Sequence, residues 1–146
     1  MHNGFYASIM LLAGVGIPVM ASGNALLGAR LGSPASAAAI MFALALAVAL
    51  AVAWATGGPQ RALLGAAPWP YYLGGLLIAF YLLSITYLGP KLGIGTAVLL
   101  VLLGQIVAAA TIDHFGLLGA PRTPLTLVRA LGLAMMAGGV LLARRM

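Results

Sequence analysis

The sequence predicts an all-α membrane protein, a five-transmembrane-helix bundle. Three observations support this: 64% of the 146 residues are hydrophobic, only 5% are charged, and the mean hydropathy is +1.15. A soluble domain carries about a quarter charged residues to cover its surface. Because this chain cannot cover a water-facing surface, we expect residues 1–146 to form one integral membrane domain in the lipid bilayer.

Five apolar stretches set the helix count. A helix needs about 20 predominantly apolar residues to cross the hydrocarbon core. The predicted helices are about residues 5–27, 35–56, 71–88, 93–112 and 125–142. The first contains Pro18, whose missing N–H is expected to loosen the helix and expose carbonyls. The second is almost pure Ala, Leu, Val and Met, and it follows an N-cap at Ser33 and a first-turn proline at Pro34.

Short loop signals bound the other three helices. Trp69 and Tyr72 precede the third helix, which suits the headgroup level where aromatic side chains collect and indicates an aromatic entrance. Gly-Pro and Asp-His pairs bound the fourth helix, and Thr-Pro opens the fifth. Glycines Gly28 and Gly32 are spaced for helix packing, whereas Pro18, Pro90 and Gly93 are candidate hinges; the competing interpretation is that all are packing features.

The basic residues act as topology markers. Seven Lys and Arg accompany a single acid, and they are dispersed rather than clustered as in nucleic-acid-binding proteins, so no nucleic-acid partner is expected. The predicted loops place four on one side (Arg30, Lys91, Arg144, Arg145) and three on the other (Arg61, Arg122, Arg129). Such a balance favours dual topology and an antiparallel homodimer; the alternative is that one orientation prevails.

The composition excludes several kinds of chemistry. The chain has no cysteine, two histidines and one acid, so neither a disulfide, a metal site nor a cofactor is expected. Asp113 and His114 are adjacent, but a catalytic or metal site would need a third member. We therefore expect the protein not to be an enzyme.

Polar residues at membrane depth are the candidate substrate contacts. These are Asn24, Tyr81, Ser84 and Gln105, and an amide in lipid needs a hydrogen-bond partner. The competing interpretation is that Asn24 and Gln105 bond to each other or to backbone between helices.

The only acid lies at a helix end. Asp113, with His114, is a candidate gate or coupling group. A carboxylate there opposes the helix dipole, so a salt bridge to Arg122 or Arg129 is the competing interpretation.

Several motifs along the chain are informative in combination: Gly14-x3-Pro18, Asn24, Ser33-Pro34, Trp69 before Gly74-Gly75, Gly89-Pro90-x2-Gly93, Gly104-Gln105 and Asp113-His114-Phe115-Gly116. Together they resemble the five-helix YdcZ-like branch of the drug/metabolite transporter superfamily. The resemblance implies a bacterial inner-membrane protein of transporter fold, without an established substrate. Its fold would be related to the half-repeat of ten-helix metabolite transporters and, more distantly, to small multidrug resistance pumps.

Two departures limit what the resemblance implies. Members often have Gln two residues after the helix-one proline, where this chain has Met20, and small multidrug resistance pumps use a helix-one glutamate that is absent here. We therefore expect a secondary transporter of a small neutral or zwitterionic organic solute rather than a metal ion. The alternative is a non-transporting membrane subunit or scaffold.

Overall fold

The computed structural model describes residues 2–58, 65 and 67–143. Within them the chain forms five α-helices and no strand, which confirms the all-α prediction. The helices are α1 (His2–Leu31), α2 (Pro34–Ala55), α3 (Gly74–Leu92), α4 (Ile94–Phe115) and α5 (Leu127–Ala143). Short 3-10 turns, Trp69–Leu73 and Leu117–Gly119, precede α3 and follow α4.

The described helices have the length and composition of membrane spans. Four qualify: α1, α2, the 3-10 turn with α3 (Trp69–Leu92), and α4. The fifth, α5, is a shorter apolar helix of 17 residues, and 17 is about the smallest number that crosses the hydrocarbon core. The predicted membrane protein is therefore confirmed. Arg61, Arg144 and Arg145, three of the predicted topology markers, lie outside the described residues.

Two prolines are accommodated inside helices. Helix α1 runs through Pro18, and the Ser22 hydroxyl donates to the Pro18 carbonyl at 2.8 Å. The loosening and the exposed carbonyls expected at Pro18 stay a prediction. Helix α3 runs through Pro90 to Leu92, four residues beyond its predicted end. Proline removes one backbone donor while its fixed φ remains helical, so a membrane helix can continue past it.

The contacts within the chain group it into two compact units, Met1–Leu92 with α1 to α3 and Gly93–Met146 with α4 and α5. The expected single domain stays a prediction. In the first unit, α1 and α3 run parallel, because Met20 lies near Leu82 in one groove and Asn24, further along α1, bonds to Thr86. Helix α2 runs antiparallel to both.

The first unit packs most closely around one glycine. Gly28 is buried, and a Cβ added there would lie 3.2 Å from Pro34 Cα, 3.5 Å from Thr86 Cγ2 and 3.7 Å from Ala37 Cβ. This set of four residues is called the Gly28 contact below. Gly32, its predicted packing partner, has nothing within 4 Å of its added Cβ and adopts φ +63 in the turn after α1. It is therefore a turn glycine and not a packing notch.

The turn between α1 and α2 has the predicted N-cap. The Ser33 side chain accepts from the Ser36 backbone N–H at 3.1 Å, and Pro34 occupies the first helical turn. The Ser33 N–H in turn donates to the Gly28 carbonyl at 3.0 Å. These bonds hold the start of α2 against the end of α1, and thereby fix the place where Pro34 meets Gly28.

We predict that Gly28→Leu destabilises the protein by about 1–3 kcal/mol, because its side chain would meet the Pro34 backbone and overpack the contact. Gly14→Leu is the matched control: Gly14 lies in the same helix with nothing within 4 Å of its added Cβ. Thermal unfolding in detergent measures both variants. Equal melting temperatures for the two would contradict the close packing at Gly28.

Candidate functional site

A buried polar pair joins α1 to α3. The side-chain Nδ2 of Asn24 donates to the hydroxyl oxygen of Thr86, and that hydroxyl donates to the Leu82 carbonyl at 2.7 Å. Asn24 is 1% exposed and Thr86 is 2% exposed. The sequence correctly suggested that Asn24 faces other helices, but it did not single out Thr86 as the partner.

The Asn24 amide is only half satisfied. Its Oδ1 is buried and has no hydrogen-bond partner among the described residues. Leaving a buried acceptor unpaired costs about 1–3 kcal/mol, so such an atom is unusual in a folded protein. The hydroxyl of Tyr81 is the second buried side-chain oxygen without a partner in this part of the chain. Both atoms belong to the first unit.

Tyr81 lies in a groove of about 550 Å³ between the three helices of the first unit. We call it the Tyr81 groove. Besides Tyr81 it is lined by apolar side chains: Met20 from α1, Met41, Phe42, Leu44, Ala45, Val48 and Ala49 from α2, and Ile78 and Leu82 from α3. Met20 and Leu82 each precede a member of the Asn24–Thr86 pair by one helical turn. The polar pair therefore adjoins one end of the groove.

The other predicted substrate contacts lie elsewhere. Ser84 lines a separate groove of about 430 Å³, together with Pro34, Ala35, Leu83, Tyr87 and Leu88. Gln105 is an exposed residue of α4 in the second unit. The structure therefore assigns Tyr81 and Ser84 to different grooves, and of the four candidates only Asn24 and Tyr81 belong to or adjoin the Tyr81 groove.

The predicted aromatic entrance precedes α3. Trp69 and Tyr72 lie in the 3-10 turn before this helix and are 74% and 57% exposed. At the opposite end of α3, the Lys91 ammonium lies 3.6 Å from the centre of the Tyr87 ring. Aromatic groups thus mark both ends of the helix, as expected of a span that crosses two interfaces.

The predicted hinge Gly93 separates α3 from α4. It is the N-cap of α4 with φ 82, a backbone conformation that glycine adopts without a steric penalty. The same residue begins the second compact unit. A hinge role for Gly93, as for Pro18 and Pro90, stays a prediction.

Asp113 belongs to a hydrogen-bonded loop in the second unit. Its carboxylate forms an ion pair with Arg129, one of the two partners considered from the sequence, and its carbonyl accepts from the Thr123 N–H at 2.8 Å. His114 Nδ1 accepts from the Leu125 N–H at 2.9 Å. Gly116, with φ 65, ends α4 so that the chain can fold back. Asp113 and His114 thus connect the end of α4 to the segment that leads into α5.

A third groove, of about 310 Å³, lies between the two helices of this unit and is lined by His114 among mostly apolar residues. No group of three His, Cys, Asp or Glu that could hold a metal ion occurs in the described part of the chain.

Membrane-spanning helices with buried polar groups beside an apolar groove suit a small transporter, and a family match agrees with this. The family described as "Putative inner membrane exporter, YdcZ" matches residues 5–142. The chain belongs to this YdcZ family. Neither the curated proteins nor the solved structures compared with it give a match. The family supports an inner-membrane transporter in general terms and confirms the resemblance found in the sequence motifs.

The pattern of α3 could have revealed the partner of Asn24 in this YdcZ-family chain. Leu82, Thr86 and Gly89 are spaced by four and three residues and are all buried, so they share one face of α3. A threonine on the buried face of a membrane helix is a candidate partner for an amide on a neighbouring helix. The unpaired oxygens of Asn24 and Tyr81, by contrast, have no sequence signal.

We predict an interaction between Asn24 and Thr86 of about 0.6 kcal/mol, and at most about 1.7 kcal/mol, in a double-mutant cycle; these are the average and the maximum found for hydrogen bonds between membrane helices. The variants are Asn24→Ala, Thr86→Val and their combination, and the measurement is unfolding free energy in mixed micelles. The control replaces Thr86→Val with Thr111→Val, because the Thr111 hydroxyl bonds within its own helix to the Val107 carbonyl at 2.9 Å. Additive effects at Asn24 and Thr86 would contradict the bond.

Proposed function

We propose that this YdcZ-family protein is a secondary transporter that exports a small neutral or zwitterionic organic solute by alternating access. The proposed solute class is supported by the position of the single acid. Asp113, the only Asp or Glu of the chain, is ion-paired with Arg129 at the end of α4. No further carboxylate is available for a cation within the membrane.

Dehydration makes a cation costly to bind within the membrane. A cation that leaves water for a site in hydrocarbon loses its hydration, and this loss must be offset by an anion or by several aligned dipoles. Asp113 already has a cationic partner, and the two side chains remain 36% and 35% exposed. A neutral solute needs only hydrogen bonds and apolar contact, which Asn24, Tyr81 and the Tyr81 groove offer.

We predict that saturable flux in proteoliposomes is found for neutral or zwitterionic solutes and persists in Asp113→Asn. A thermal-shift screen in detergent first selects the solute, because a ligand of the folded state raises the apparent stability. Radiolabelled counterflow then measures its transport, with tetraphenylphosphonium as the cationic comparison. Asp113→Asn is expected to cost at most about 1 kcal/mol of stability, since the ion pair is partly exposed. Proton-driven cation uptake that Asp113→Asn abolishes would contradict the proposal.

The same assay separates a transporter from a scaffold. Asn24→Ala combined with Gln105→Ala removes the two amides that lie within the predicted spans. A transporter that uses one of these amides loses flux while the variant remains folded in detergent. A non-transporting subunit would show no flux in the wild-type protein and would lose only packing stability in the variant.

For the assembly, we propose an antiparallel homodimer of dual-topology chains. The support comes from the four-to-three distribution of Lys and Arg over the two predicted sides. Acids contribute little to membrane orientation, so the Asp113–Arg129 ion pair leaves this balance unchanged. An antiparallel pair would supply the inverted symmetry that larger transporters obtain from two repeats in one chain, and with it two equivalent states for alternating access.

We predict that a C-terminal reporter gives signal from both sides of the inner membrane. Arg122→Ala changes the four-to-three distribution to four-to-two and should move the C-terminus toward the cytoplasm. Lys91→Ala changes it to three-to-three and should move the population the other way. Paired cytoplasmic and periplasmic reporters measure both shifts. A wild-type signal confined to one side would contradict dual topology.

A further inference from the structure

The Tyr81 groove has the dimensions of a binding site for a small molecule. Its volume of about 550 Å³ falls within the range of about 300–1,000 Å³ that ligand pockets occupy. All three helices of the first unit contribute to its lining. The three side chains Met20, Met41 and Phe42 are each partly buried, so they offer apolar surface that a ligand could cover.

One residue of the lining has a polar side chain. This residue is Tyr81, whose hydroxyl is buried without a hydrogen-bond partner in the described chain. A phenol can both donate and accept, and burying it unpaired is unfavourable. Because the oxygen is buried, a ligand that bonds to it must draw the Tyr81 ring toward the groove, and the new hydrogen bond would remove that penalty. An aliphatic lipid tail could fill the groove but could not supply a polar group.

The other side chains indicate how specific the site is. Methionine is flexible and polarisable, so Met20 and Met41 can adapt to aromatic or aliphatic bodies of different shape. No Lys, Arg, Asp or Glu lines the groove, so it contains nothing to compensate a charged group. The groove therefore suits an uncharged apolar body and disfavours ions and zwitterions.

We propose that the Tyr81 groove binds a neutral, lipophilic solute through one hydrogen bond to the Tyr81 hydroxyl and apolar contact with Met20, Met41 and Phe42. The inference rests on the proposed function and narrows it, because it selects lipophilic solutes from the neutral and zwitterionic class. Tyr81 contacts the solute directly, whereas Asn24 and Thr86 lie one helical turn beyond the lining residues Met20 and Leu82.

The test compares two probes that differ in one polar group. 2-Acetylnaphthalene carries a carbonyl that can accept from Tyr81, and 2-isopropylnaphthalene has a similar shape without it. Affinity for protein in nanodiscs is measured by equilibrium dialysis, with empty nanodiscs subtracted. Tyr81→Phe removes only the hydroxyl. It should lower the affinity for the ketone roughly two- to tenfold while leaving the affinity for the hydrocarbon unchanged.

A second pair of variants tests the groove itself. Ala45→Phe places a ring in the groove and should abolish binding of both probes. Ala47→Phe is the matched control: it lies on the same helix about 200° away, is exposed and does not line the groove. Circular dichroism and size-exclusion chromatography establish that the variants are folded and report their oligomeric state.

Three results would overturn the inference. Binding that Ala45→Phe leaves unchanged would mean that the probes only partition into lipid. A change of oligomeric state in Ala45→Phe without a change in probe affinity would make the groove a contact between copies of the chain. An equal effect of Tyr81→Phe on both probes would exclude the hydrogen bond.

Failure of the proposed transport and failure of the proposed binding site give different experimental results. If the ketone binds as described but no solute shows saturable flux, the proposed function is wrong and the binding site remains. If flux is found while neither probe binds the groove, the inference is wrong and transport remains.

Discussion

The close approach of α1 to α2 and α3 at Gly28 is the constraint on which the first unit depends. Hydrophobic side chains do not drive helices together in lipid, so association relies on backbone proximity and polar contacts. Gly28 permits that proximity at Pro34 and Thr86, and one turn earlier Asn24 bonds to Thr86. The Ser33 cap holds Pro34 in place. Packing and hydrogen bonding therefore stabilise the same few residues, near one end of the three helices.

The Tyr81 groove follows from where that contact lies. Beyond Asn24, toward the start of α1, the side chains facing α2 and α3 leave about 550 Å³ unfilled between Met20, Met41 and Ile78. The helices are thus close at Gly28 and separated by a groove beyond the Asn24–Thr86 pair.

The sequence predicted the helices well and the site only in part. Hydropathy and caps located all five helices, because a long apolar run in a membrane has few other solutions. The predicted end of α3 was wrong at Pro90, where proline signalled a break that the helix does not make. Asn24 and Tyr81 were found because polar groups are rare at this depth. Their partners and unpaired oxygens depend on how helices rotate against one another, which residue spacing does not determine, and Ser84 faces a different groove for that reason.

Met20 connects the sequence to the chemistry of the groove. It departs from the glutamine often found two residues after the helix-one proline in sequences that this chain resembles, and it lines the Tyr81 groove. A glutamine there would add an acceptor and two donors to the lining of the groove. With methionine, Tyr81 is the only lining residue with a polar side chain, and its hydroxyl has no partner in the described chain. The methionine thus keeps the groove apolar, which agrees with the proposed lipophilic solute.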